Sequence, residues 1–139
     1  MSGRPYNGWS YRARCAVTPI QERAFRSGAF VRPTQCSICG FIGIGKRDGR
    51  WQIVAHLERY DHPLEIYPTC RPCHGALHGR FTNPDRWQRL IDRHGHKGGW
   101  FTMLSLDPRS QWQPFEQTYS NGLASPSVPS WCVKYDLSS

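Results

Sequence analysis

Two pairs of cysteines share one spacing, Cys36-Ser-Ile-Cys39 and Cys70-Arg-Pro-Cys73, with 30 residues between them. A Cys-x2-Cys turn carries two sulfurs close enough to reach one ion. Two such turns complete a tetrahedral shell of thiolates for a structural Zn²⁺, with Zn–S bonds of about 2.3 Å. Gly40, directly after the first pair, suits a knuckle turn that needs a positive φ. Two other chemistries use the same residues. A disulfide framework needs an oxidising compartment, and the segment MSGRPYNGWSYRAR has no apolar stretch of the secretory-signal kind. A thioredoxin-like redox centre needs only one such pair, set in a βαβ unit. Cys15 and Cys132 have no partner at ligand spacing and read as small apolar residues.

Histidines crowd the second pair. His74 follows Cys73 directly, and His78 lies four positions on. On a helix that spacing puts both imidazoles on one face, a turn apart. His56 ends an apolar, β-prone run that would pack beside this helix, so three imidazoles converge next to the cysteines. Each taken singly has an ordinary structural use: His74 bonding backbone, His78 facing solvent, His56 buried. Together they form a candidate second metal site. His94 and His96 lie outside the pattern and take no role.

The order of knuckle, hairpin with a terminal His, then Cys-x2-Cys-His-x3-His resembles the HNH endonucleases. The stretch from His56-Leu-Glu-Arg-Tyr60 through Pro63-Leu64 to Cys70-Arg-Pro-Cys73-His74 is similar to small HNH-like proteins of phages and prophages. The resemblance covers residues 33–80. It implies a small α+β chain with a ββα-metal, treble-clef-like core stabilised by zinc. It implies phosphodiester hydrolysis with one divalent ion, Mg²⁺, Mn²⁺, Ni²⁺ or Zn²⁺. In the family a strand-end His is the general base and helix residues hold the metal. His56 matches the strand His, His74 the His after the cysteine pair, and His78 the position one turn on. Glu65 falls where the family has the Asn that positions the base.

The sequence departs from that pattern in three places. The family's strand ends in a dipeptide that supplies a ligand and a base, whereas His56 is flanked by Ala55 and Leu57. In one register a metal ligand has been replaced; in the other, which counting back from His74 favours, the base has gone and His56, His74 and His78 are a metal triad. Glu65 turns a neutral orienting group into a carboxylate, itself a candidate ligand for Mg²⁺ or Mn²⁺. Asp61-His62 has the look of the missing dipeptide, but only seven residues separate His62 from Cys70. The alternative on the same scaffold is a degenerate zinc module that binds nucleic acid or a phage protein assembly without cutting.

Charge points to the same partner. The chain of 139 residues carries 18 Lys+Arg against 10 Asp+Glu, a net +8, and 15 of the 18 are Arg. Residues 1–60 hold a net +7, residues 61–97 a net +2 and residues 98–139 a net −1. A basic half of this kind suits phosphate contacts, with double-stranded DNA as the expected partner. Candidate contacts are Arg4, Arg12, Arg14, Arg23, Arg26, Arg47, Arg50 and Arg59. A solvated, solubilising face would look the same in composition. No apolar run approaches the roughly 20 residues of a membrane span, so a membrane protein is not expected and a cytoplasmic, intracellular setting is, including that of a phage gene in a bacterial host.

The elements that must position these groups follow from local signals. Residues 1–32 read as an irregular basic arm and a helix over 19–30, with Thr18 as N-cap, Pro19 at its start and Arg32-Pro33 at its end. Residues 33–97 hold the HNH-like core: a β-hairpin over 41–56 turning at Asp48-Gly49, a loop over 57–69 with Pro63 and Pro68, a helix from Arg71, and a helix over 84–94 capped by Asn83 and closed by Gly95. Residues 98–139 read as a Pro/Ser/aromatic tail with a short strand at 100–104, packing through Trp112, Phe115, Tyr119, Trp131 and Tyr135. Its slight negative charge and aromatics also suit a protein-docking surface. With 38% hydrophobic residues the apolar core must be small, and metal binding is the natural supplement, worth about 10–16 kcal/mol in zinc-finger peptides.

Overall fold

The computed structural model describes residues 3–124. It is a small mixed assembly of short helices and strands around the cysteine pairs. Trp131, Tyr135 and Cys132 lie outside the described residues.

The N-terminal segment is a built element and not a loose arm. Tyr6 and Trp9 form a bridge across a tight Asn7-Gly8 turn, and Tyr6 and Asn7 are buried. Ser10 then caps α1 (Tyr11–Cys15), its Oγ accepting from Ala13 N at 3.1 Å. Helix α2 (Thr18–Ser27) starts at Thr18-Pro19, but Val17 is the cap and no side chain bonds the helix end. Gly28 closes the helix ahead of Arg32-Pro33, through its N–H on Phe25 O. Buried Gln21 ties α2 to the loop beyond His56, donating to Pro63 O at 3.0 Å.

The cysteine loop 36–39 folds back on itself. Gly40, at φ 82°, donates its N–H to Cys36 O, while Cys36 N reaches Phe41 O at 2.8 Å. A residue with a Cβ is strained at such a φ, so the glycine expected here is required. The Asp-Gly turn is also present, with Asp48 at φ 53° and Gly49 at φ 77°, the geometry of a two-residue hairpin. Its hairpin is short, however: β1 (Lys46–Arg47) on β2 (Arg50–Trp51).

The expected hairpin over 41–56 is therefore replaced by a different pairing. β3 (Ile53–His56) pairs antiparallel with β4 (Tyr67–Cys70), in the register Ile53 to Cys70 and His56 to Tyr67. Phe41, Ile42 and Ile44 stay exposed, in a run broken by Gly43 and Gly45. Pro68 sits inside β4, where it lacks a donor but its carbonyl accepts from Ser37 N at 2.7 Å and Ser37 Oγ at 2.6 Å. That carbonyl joins the two cysteine pairs. Helix α3 (Arg71–His78) follows β4 without a linker, with Pro72 in its first turn.

Helix α4 (Pro84–His94) matches its expected bounds, with Asn83 Oδ1 accepting from Arg86 N. Its Trp87 is 2% exposed. The expected strand at 100–104 is a 3-10 turn, Trp100–Met103, because Gly98 and Gly99 both take positive φ and swing the Trp100 ring inward. A second 3-10 turn, Pro108–Trp112, leads to α5 (Phe115–Thr118). Trp100, Phe101, Leu104, Phe115 and Tyr119 join Tyr67, Leu77 and Trp87 in one core, so this part of the chain is interior; Trp112 stays exposed. A smaller cluster of Val17, Leu57 and Ile66 seals the far side of β3. No helix among the described residues is long and apolar enough to cross a membrane.

Candidate metal centres

Cys36 and Cys39 come from the knuckle loop, Cys70 from the end of β4 and Cys73 from the first turn of α3. Their sulfurs lie within 4.8 Å of one another, and Cys39 Sγ stands 3.7 Å from Cys70 Sγ. A tetrahedron with bonds of about 2.3 Å has edges of about 3.8 Å, so the spacing is that of four thiolates around one ion. Ile38 N and Cys39 N both point at Cys36 Sγ, at 3.4 and 3.5 Å. Such N–H groups favour a thiolate. Hydrogen bonds from Cys70 and Cys73 hold the Cys36 thiol far below its usual range, while the same bond to Cys36 pushes Cys70 up to about 12. Four thiolates this close together need a cation such as zinc among them. No disulfide joins the described cysteines, and Cys15 is exposed on α1 and not part of the cluster.

The second cluster is His56, His74 and His78, with ligand nitrogens within 4.8 Å of one another. β3 delivers His56 at its last residue, and α3 delivers the other two from one face. Ring centroids are 5.2 Å apart for His56 and His74, and 4.5 Å for His74 and His78. Burial lowers the pKa of all three, to about 3 for His56 and for His74, with Arg80 acting further on His56 and with His56 and Arg71 acting further on His74. The imidazoles are thus neutral near pH 7, the form whose lone pairs bind a metal.

His56 is held from behind by Glu58, which is fully buried. Its Oε2 lies 2.5 Å from His56 Nε2. Tyr6 Oη donates to the same oxygen at 2.6 Å, and Asn7 Nδ2 donates to Oε1 at 3.0 Å and to Glu58 O at 2.9 Å. Buried Arg80 donates to Tyr6 Oη at 3.1 Å, to Leu77 O at 2.9 Å and to Ser105 O at 2.7 Å. Burial holds the Glu58 carboxyl above its ordinary pKa, and Arg80, Tyr6 and Asn7 offset only part of that rise.

His74 and His78 open onto a hollow of about 740 Å³ that Arg4, Tyr6, Arg14 and Thr82 also line. A smaller hollow of about 220 Å³ reaches all three histidines from the side of α1 and α2. Arg14 borders both, and its Nη2 donates to Arg4 O at 2.9 Å.

The remaining sequence candidates fall elsewhere. Glu65 is exposed, accepts weakly from Tyr67 Oη at 3.4 Å and sits 4.0 Å from His62, outside the histidine cluster. Asp61 and His62 are exposed on the same loop, bonded to Arg59 and to each other. Arg59 is taken up by Asp61 at 3.0 Å and Glu116 at 3.4 Å. Arg4 is exposed and lines the large hollow; Arg12 is exposed on α1, Arg23 and Arg26 are exposed on α2, and Arg47 and Arg50 flank the hairpin turn. Arg47 and Arg50 line, with Arg71, a hollow of about 420 Å³ against the cysteine cluster. Glu58, Tyr6, Asn7 and Arg80 went unrecognised in the sequence.

Comparison with known protein families, with curated proteins and with solved structures gives no match to this chain.

Proposed function

We propose that this chain is a divalent-metal-dependent endonuclease of the HNH type, cleaving phosphodiester bonds in DNA. The observation that carries this reading is the convergence of His56, His74 and His78, the last two of which line an open hollow bordered by Arg4 and Arg14. The order of β3 ending in His56, β4 and then α3 beside a four-cysteine cluster supports a ββα-metal core. His56, His74 and His78 would hold the ion. A divalent cation there supplies charge to a phosphoryl oxygen and lowers the pKa of an attacking water. Arg4 and Arg14 line the hollow where a scissile phosphate would lie, and Arg14 is steadied by its bond to Arg4 O. Glu58 keeps His56 oriented from the buried side. Exposed arginines on α1, α2 and the hairpin would add further phosphate contacts.

Plasmid DNA incubated with the protein and Mg²⁺, Mn²⁺ or Ni²⁺ tests the reading. Nicking or linearisation should appear with at least one ion. His74→Ala should lower it by about a hundredfold or more, since even a residue that only supports a ligand is worth about 10–100-fold. No cleavage with any ion, or undiminished cleavage by the variant, sinks the nuclease.

One observation favours a second reading, a module that binds DNA or a protein assembly without cutting. The His56 side chain is 1% exposed, and its neighbours Ala55 and Leu57 offer no second group to act as a base. This reading expects salt-sensitive DNA binding with intact product, and one metal ion per chain.

A further inference from the structure

Among the buried polar groups, one set has no part in holding either ion directly. Glu58 is 0% exposed, yet three groups converge on its carboxyl: His56 Nε2 and the donor Tyr6 Oη on Oε2, and the donor Asn7 Nδ2 on Oε1. Tyr6 is in turn held by Arg80, itself 0% exposed. A carboxylate buried this deeply is costly unless its lone pairs are filled. Here they are filled by His56, two residues back, and by the Tyr6-Asn7 turn, more than 50 residues away. The contact engages Nε2 of His56 and leaves Nδ1 as the ring nitrogen turned away from Glu58.

We infer that Glu58 is the positioning residue of the histidine centre, and that the N-terminal Tyr6-Asn7 turn is part of that centre. Glu58 fixes the tautomer and the plane of His56, and Tyr6 and Asn7 fix Glu58. This assignment rests on the reading of His56, His74 and His78 as a metal site. It goes beyond that reading in naming what sets the site's affinity. A carboxylate behind a ligating histidine raises the ligand's basicity and removes rotational freedom, and its loss typically costs about 10–100-fold in metal affinity.

The test uses the full chain with its cysteine cluster loaded with zinc. Mn²⁺ or Co²⁺ is titrated by calorimetry, and the ¹⁵N shifts of the His56 ring are recorded beforehand. Native protein should bind one further ion and show an Nε2-protonated ring. Glu58→Gln should weaken that ion by about 10–100-fold and lose the tautomer preference, with zinc content and circular dichroism unchanged. Tyr6→Phe, which keeps the ring and removes one donor, should give a smaller loss in the same direction, and it serves if Glu58→Gln does not fold. Unchanged affinity and unchanged ring shifts in the folded variants overturn the assignment alone. No further ion on the native chain overturns the histidine centre and this assignment with it.

Discussion

The histidine centre depends on side chains whose neighbours in space are remote in sequence. His74 and His78 are four residues apart, so a helix alone brings them together, and the spacing announces it. Glu58 is different: its partners Tyr6 and Asn7 are 52 and 51 residues away. Nothing local marks it off from Glu65, which occupies the resembling position but is exposed. The distinction between the two carboxylates is made by burial, and burial is a property of the finished fold. Arg80 carries a related consequence. It is fully buried and bonds Tyr6, Leu77 and Ser105, three groups from three segments. Arg80→Met removes those bonds and leaves Tyr6 and Glu58 less well compensated. Because hydrogen bonds to charged groups contribute about 1.5–3 kcal/mol each, a loss of about 3 kcal/mol or more is expected, read as a lowered urea midpoint. A change below about 1 kcal/mol would mean that the network is not structural.

At the scale of elements, helices with end signals were legible and strand pairing was not. Asn83-Pro84 and the last residues before Gly95 bracket α4 as expected, because a cap and a proline act on their own helix. The β-run at 51–56 was also real, but its partner was misread. Pairing is decided by which apolar faces can be buried together, and Ile53 finds its place against Cys70 and the core while Ile42 and Ile44 stay in solvent. A proline at 68 argued for a loop, since proline lacks a ladder donor. The sheet has only two strands here, and the Pro68 carbonyl still serves, accepting twice from Ser37. Ser37 Oγ also accepts from Trp100 Nε1 at 3.1 Å. One hydroxyl thus joins the knuckle, β4 and the segment after α4. Ser37→Ala should cost about 1–3 kcal/mol, because it leaves a buried indole N–H without its partner. Chemical denaturation of the zinc-loaded chain measures this. A neutral substitution would show that the joint is redundant.

Over the whole molecule, the composition already implied that the apolar core needed help, and the geometry shows how the help is placed. Cys36, Cys70 and Cys73 are themselves core residues, packed with Ile53, Tyr67 and Leu77. The four sulfurs sit where the knuckle loop, β4 and α3 meet, so an ion there closes contacts between all three. The histidine centre lies on the other flank of α3, next to a hollow open to solvent. The two centres should therefore respond differently to chelation. If the histidines hold an ion as proposed, a mild chelator should strip it and stop the proposed DNA cleavage while the circular dichroism stays constant. Stronger chelation that empties the cysteines should abolish the helical signal, because without a cation the thiolates repel one another and the binding free energy that supports folding is gone, about 10–16 kcal/mol in zinc-finger peptides. Re-adding Zn²⁺ should restore the fold, and adding Mn²⁺ after it should restore cleavage. If the helical signal survived complete removal of zinc, the cysteine cluster would not be what holds β4 and α3 to the knuckle, and the apolar core of Trp87, Trp100 and Phe115 would have to be sufficient by itself.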